Sequence, residues 1–230
     1  MKSLYLDFEY WNTSQNTMSV CCCAVCIKYE DKPSIKYCFW LRYDECSEVA
    51  AFKEFMRANK DELFLSYNVI AEASALYSLG IDPTKLKWVD IMTEWKQLRN
   101  GNHKRLYGPY IDPRGKPKKS TPPPPREYGE EYTKPKGANH SHTGTNLLSC
   151  VYNLLGVDLG GEHKKAMVTR ILQGDPFSDK ERTEICEYAL SDVHYLSDVT
   201  KIIAKEIMAL ANISFTQWLQ DAQVRGEWSA

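Results

Sequence analysis

The stretch SLYLDFEYWN, residues 3–12, restricts the fold more than any other part of the chain. Leu4, Leu6 and Phe8 alternate with Tyr5, Asp7 and Glu9, the period of two that belongs to a β-strand. One face is apolar and has to be covered. The other carries two carboxylates two residues apart, close enough to repel. Burying such a pair is costly unless a cation or hydrogen-bond donors compensate. What Asp7 and Glu9 hold is therefore the first question the chain poses.

The rest of the pattern says what kind of sheet surrounds this strand. Residues 4–11, 17–29 and 34–42 read as three successive strands, with Asp31-Lys32-Pro33 as the turn before the third. SEVAAFKEFMRANK has Val49, Phe52, Phe55 and Met56 at helical spacing, with Ser47 as its expected N-cap. A short apolar strand, ELFLSYN, leads into the helix AEASALYSLG, closed by Gly80, and LKWVDIM is a further short strand running into a helix. Three strands followed by alternating helices and strands imply a mixed-sheet α/β layer fold. Beyond residue 143 everything reads as helix: NLLSCVYNLLGVDL, then EHKKAMVTRILQG, then a long helix opened by a Ser178/Glu181 capping box.

Between about 97 and 143 the composition changes. This stretch holds eight of the eleven prolines, including Pro122 to Pro125. Between 96 and 142 eleven Lys/Arg face four acids, a local net of +7 in a chain whose total is −1. With few large aliphatics it cannot build a core. The chain reads as one domain, 1–230, carrying a Pro-rich basic insertion. The insertion is either a solvated linker or an electrostatic arm, in which Lys104, Arg105, Arg114, Lys116, Lys118 and Lys119 track a phosphate backbone or a partner's surface.

The eight cysteines are read as core thiols. Cys21, Cys22, Cys23 and Cys26 fall on one strand, where neighbours point to opposite faces, and Cys23–Cys26 is a lone CxxC with no second pair to complete a metal site. Free thiols, no signal-peptide pattern and no apolar run of about 18 residues imply an intracellular, cytoplasmic protein without a membrane span.

Two further acids and a tyrosine complete a pattern. Tyr188 and Asp192 lie one helical turn apart on the same face. Glu72 begins a helix four residues after Asn68, at a strand-to-helix corner. Asp7-x-Glu9 on the first strand, Asn68 through Glu72, and Tyr188 through Asp192 together resemble the three motifs of the DEDD superfamily of ribonuclease H-like 3′–5′ exonucleases, in the tyrosine-bearing DEDDy branch. The histidine variant would need His where Glu187 stands. KWVDIM, NLLSCVYNLLGVDLGGEHKKAM and EICEYALSDVHYL look like the proofreading domain of phage-type family A DNA polymerases. The departure is Glu72, where the family usually has Asp; Asp90 is the alternative, in a context that reads as structural.

The resemblance implies a ribonuclease H-like three-layer fold with a mixed five-stranded sheet. It implies two divalent cations, Mg²⁺ or Mn²⁺, bridged by Asp7, with Glu9 and Asp192 completing one ion and Glu72 serving the other. Tyr188 would orient the attacking water, and Asn68, Tyr10 and Trp11 would contact the terminal nucleotide, although core packing explains the two aromatics as readily. The implied activity is hydrolysis of DNA from its 3′ end to 5′-mononucleotides, on single strands or DNA 3′ ends, as the proofreading part of a split or excised polymerase, in a host cytoplasm if phage-encoded. Two alternatives stay open: an RNA-trimming exonuclease like the RNase D group, and a silent module that binds nucleic acid or a polymerase subunit.

Overall fold

The computed structural model describes residues 2–13, 18–42, 46–107 and 145–229. β1 (Lys2–Asn12), β2 (Met18–Tyr29) and β3 (Ile35–Trp40) form an antiparallel meander. β4 (Leu63–Ser66) and β5 (Lys87–Asp90) add in parallel on the other side of β1, giving the order β3-β2-β1-β4-β5. β1 is thus the central strand. Its period-two pattern is read out as expected: Leu4, Leu6 and Phe8 join a core with Phe52, Met56, Phe64 and Leu76, under α1 (Cys46–Ala58) and α2 (Val69–Ser78). Tyr5 and Trp11 join the opposite core, beneath the helices that follow β5. The sheet is mixed, five-stranded and enclosed by helices on both faces.

Those helices are α3 (Ile91–Tyr107), α4 (Leu147–Leu155), α5 (Gly161–Gln173), α6 (Asp179–Ala211) and α7 (Phe215–Glu227). The capping box at the start of α6 is present: the Ser178 hydroxyl accepts from the Glu181 N–H, and the Ser178 N–H donates to Glu181 at 2.7 Å. Thirty-three residues make α6 about 50 Å long, enough to cross β1, β2 and β3 and reach α7. Its buried stripe, Ile185, Tyr188, Ala189, Asp192, Val193 and Leu196, follows the i, i+3, i+4 spacing, so Asp192 faces the sheet on an otherwise apolar seam. Among the described residues no helix is long and apolar enough to cross a membrane.

Two sequence expectations are corrected. Ser47 is inside α1 rather than its cap; Glu48 instead accepts from the Trp40 N–H at 2.7 Å and ties the end of β3 to the helix. The basic segment begins as helix, because α3 continues to Tyr107. Residues 108–144, which carry the rest of that expectation, lie outside the described residues. α7, a helix to which the sequence reading gave no bounds, is laid against β5. Its approach depends on Gly226, where an added Cβ would sit 2.3 Å from the Trp88 carbonyl oxygen. A backbone oxygen in a central layer cannot step aside. Gly226→Ala is therefore expected to cost about 1–3 kcal/mol, read as a lower midpoint in chemical denaturation; an unchanged midpoint would mean that α7 is not seated on β5.

Candidate active site

Three elements bring the acids together. Asp7 and Glu9 rise from β1 toward the helical layer, and Asp192 descends from the buried stripe of α6. One carboxylate oxygen from each lies within 4.8 Å of the other two. The register shifts between Glu9 and Tyr10, where Cys21 is the extra residue of β2, a bulge of the sort that re-aims side chains next to functional sites.

Glu72 reaches the same strand from the other side. β1 pairs with β4 only over Ser3 to Tyr5, after which the chain turns into α2. This leaves an edge of β1 unpaired, and Glu72 fills it: its carboxylate accepts from the Phe8 N–H at 3.0 Å. It is not part of the three-carboxylate group, but it is buried and repelled by Asp7. Asp90 is occupied elsewhere. It accepts from the N–H groups of Met92 and Thr93 at 3.0 and 3.3 Å and from the Thr93 hydroxyl at 3.0 Å, which makes it the cap of α3.

The remaining candidates divide. The Tyr188 hydroxyl donates to Asp192 one turn away, and its acidity is suppressed by burial and by Glu9, Asp192 and Asp7. Tyr10 is half-buried, and its hydroxyl is pushed up by burial and then by Glu72, Glu9 and Asp7. Asn68 starts α2 with its carbonyl accepting from Ala71 and Glu72, while its side chain makes no capping bond. Trp11 belongs to the core instead: it lies edge-on to Phe177 at 5.7 Å, under Arg42 at 4.6 Å. His194 faces β3, 2.6 Å from the Lys36 ammonium.

The electrostatics match a cation trap. Burial, and next Asp192, push the Asp7 carboxyl up to about 8, with Lys164 opposing; Glu9 is raised by burial and by Asp7 and Asp192, and Glu72 by burial and Asp7. One Asp7 oxygen, Oδ2, is buried without a hydrogen-bond partner. An orphaned acceptor among converging carboxylates is the feature that a hard divalent ion satisfies, and an all-oxygen donor set selects Mg²⁺ or Mn²⁺ over softer metals. Asp7, Glu9 and Asp192 fit one such ion, and Glu72 is placed on the far side of Asp7.

Lys164 was not among the sequence candidates. It forms an ion pair with Asp192, and its ammonium stands 5.2 Å from the centre of the Tyr188 ring. With Tyr188, Ser191, Asp192 and His163 it lines a groove between α5 and α6. The HKK triplet at the start of α5 was the available signal, but its face could not be assigned without knowing how α5 packs.

The raised carboxyls give a stability prediction whose sign is fixed. An unfolded aspartate titrates near ~4, whereas folded, metal-free Asp7 holds its proton to about 8. The folded state then binds more protons than the unfolded state across that window. Its stability is fully present at low pH and falls as pH rises toward 8, by up to about 1.4 kcal/mol per pH unit for each such proton. Thermal midpoints in EDTA are expected to fall between pH 5 and 8, and Mg²⁺ should raise them most at pH 8. A midpoint that rises over this range would contradict the trap.

Tyr188→Phe gives a narrower test. The hydroxyl donates to Asp192 and, with its acidity suppressed, offers an ion no negative charge, so the variant is expected to lose about ten- to a thousandfold in rate with nearly unchanged metal affinity. Loss of metal binding, or full activity, would remove Tyr188 from a water-orienting role.

No protein-family model and no curated protein matches the chain. Two solved structures do. One is the EXO domain of Nibbler from Aedes aegypti, 14% identical, with a TM-score of 0.51 over 96% of this chain and 85% of that one. The other is RNase D from Trypanosoma brucei in complex with RNA U12, 14% identical, with a TM-score of 0.50 over 95% of this chain and 62% of that one. The chain thus spans less than two thirds of the RNase D structure, and neither match is a polymerase. What the two likenesses establish is the architecture: this chain has the ribonuclease H-like α/β fold of the exonuclease domains it matches.

Proposed function

We propose that the chain is a metal-dependent 3′–5′ exonuclease that removes mononucleotides from single-stranded nucleic acid. The observation that carries this reading is the buried convergence of Asp7, Glu9 and Asp192, with the orphaned Asp7 oxygen at its centre. Four buried acids, Glu72 included, repel one another beyond what the Phe8 N–H and Lys164 offset, and each of them has a use around phosphodiester oxygens. When bound, two hard divalent ions supply charge stabilisation for the attacking and leaving oxygens and lower the pKa of a water. The protein's own part is to hold the ions through Asp7, Glu9, Asp192 and Glu72, to align that water through Tyr188, and to exclude bulk solvent. Lys164 is placed to exchange Asp192 for a phosphate oxygen of the incoming strand. Asn68 and Tyr10 flank the Glu72 side, where the terminal nucleotide would rest.

The substrate reading is broader than the sequence resemblance implied. An RNA-trimming activity of the RNase D kind fits the fold matches at least as well as DNA proofreading, since one matched structure is an RNase D bound to RNA. A polymerase partner rests on the sequence resemblance alone. The test uses DNA and RNA oligonucleotides of one sequence, each labelled at the 5′ end, with Mg²⁺ or Mn²⁺ and with EDTA. Stepwise shortening from the 3′ end that stops in EDTA is expected on at least one of them, and the ratio of rates assigns the substrate. No metal-dependent shortening of either strand would leave the silent binding module as the better reading.

A further inference from the structure

A second group of metal-ligating side chains lies outside the carboxylate site. Cys22 of β2, Cys38 of β3 and Cys186 of α6 place their three sulfurs within 4.8 Å of one another. The sheet register explains how. Cys22 pairs with Trp40, and Ala24 with Cys38, so Cys22 and Cys38 are diagonal neighbours on the face beneath α6. Ala24 is too small to separate them, and Cys186 comes down from one turn before Ala189 and Leu190 to close the triangle. The three thiols perturb one another, and the Cys38 thiol donates to the Phe39 carbonyl at 3.9 Å. All three are free of disulfides. Three sulfurs brought together from three separate elements are more than small apolar fillers need.

We propose that Cys22, Cys38 and Cys186 form a binding site for one soft d¹⁰ cation, Zn²⁺ or Cu⁺, which clips α6 to the β2–β3 edge of the sheet. Metal–sulfur bonds of about 2.3 Å require sulfurs roughly 3.8–4.0 Å apart, so the triangle has to contract by about 1 Å at most, within reach of side-chain rotation. Thiolates select soft ions, just as the carboxylate site selects hard ones. Cys22 is buried, while Cys38 and Cys186 are partly exposed, so the ion would enter from the side of Cys38 and Cys186. The thiols are already unequal: hydrogen bonds from Cys22 and Cys38 draw Cys186 down toward its thiolate and push the other two up. Arg182, one turn earlier on α6, adds to the pull on Cys186. Binding of the ion displaces the remaining thiol protons to solvent, with no change of oxidation state. The consequence for the proposed active site is mechanical, because Cys186 is two residues from Tyr188 and six from Asp192 on the same helix.

The test is a titration of the reduced, metal-free chain with Cd²⁺, followed by the thiolate-to-cadmium charge-transfer band, which carboxylates do not produce. Saturation at one equivalent is expected. Cys38→Ser and Cys186→Ser, both partly exposed positions, should each weaken binding at least tenfold, whereas Cys26→Ser, Cys150→Ser and Asp7→Ala should keep the band. Competition with Zn²⁺ and with Cu⁺ then ranks the two ions, and the winner should raise the thermal midpoint of the parent but not of Cys186→Ser. The proposal is overturned by no band at stoichiometric Cd²⁺, by a band that survives in Cys38→Ser and Cys186→Ser, or by an equal loss in Cys26→Ser. Asp7→Ala keeps this outcome separate from the fate of the nuclease reading.

Discussion

Asp7→Ala is expected to abolish hydrolysis while leaving a folded chain at least as stable, without divalent ions, as the parent. Asp7 stands at the centre of the converging acids: it shares a hydrogen bond with Glu9, is repelled by Asp192 and Glu72, and keeps one oxygen unpartnered. Removing it takes the proposed bridging ligand from both ions, so the loss should approach the background rate rather than a fraction of the parent's. The same change removes a buried carboxyl that has to be desolvated and that pushes on its neighbours. Metal-free stability therefore holds or rises, most visibly near pH 8. The two readouts move in opposite directions, which separates a site residue from a merely structural one. Near-normal activity in a well-folded variant would dismiss the two-ion assignment.

The second large effect concerns Glu72. If it serves an ion, Glu72→Gln should cut turnover heavily, since the amide keeps the size and can still accept from the Phe8 N–H but loses the charge. Glu72→Asp should retain substantial activity, because it keeps the charge at the start of α2. If Glu72 only completes the edge of β1 and the first turn of α2, Gln would cost a few tenths to about 1 kcal/mol of stability and little catalysis. The deciding measurement is turnover of the Gln variant at saturating Mn²⁺. A value above about a third of the parent's, an effect of less than 1 kcal/mol, would remove Glu72 from the site. Asp90 is a poor replacement, because its oxygens already cap α3.

What could be read from the sequence follows from the range of each signal. The alternation of β1 and the capping box at Ser178 depend on neighbours within four residues, and both appear as expected. The Tyr188–Asp192 face was legible for the same reason. Ser47 misled because the residue type favours a cap, whereas the helix had already begun at Cys46. Trp11 is apolar enough for either a core or a nucleotide platform, and only the packing of Phe177 and Arg42 around it decides for the core. Lys164 and the cysteine triangle depend on how α5 and α6 lie over the sheet. Cys22 meets Cys186 across most of the chain, and no local spacing encodes that meeting. The bulge at Cys21 adds to this, since it turns Cys21 and Cys22 into the same core where strict alternation would separate them.

The most direct test of the carboxylate site is Mn²⁺ binding itself, followed by loss of the free-ion electron paramagnetic resonance signal at pH 8. The parent chain and Asp7→Ala should be titrated side by side, with Cys186→Ser as a folded control that leaves the acids intact. The account predicts Mn²⁺ uptake by the parent and by Cys186→Ser, and none by Asp7→Ala at the same concentrations. Equal uptake by all three proteins would contradict it, because the ion would then be held somewhere other than among Asp7, Glu9 and Asp192.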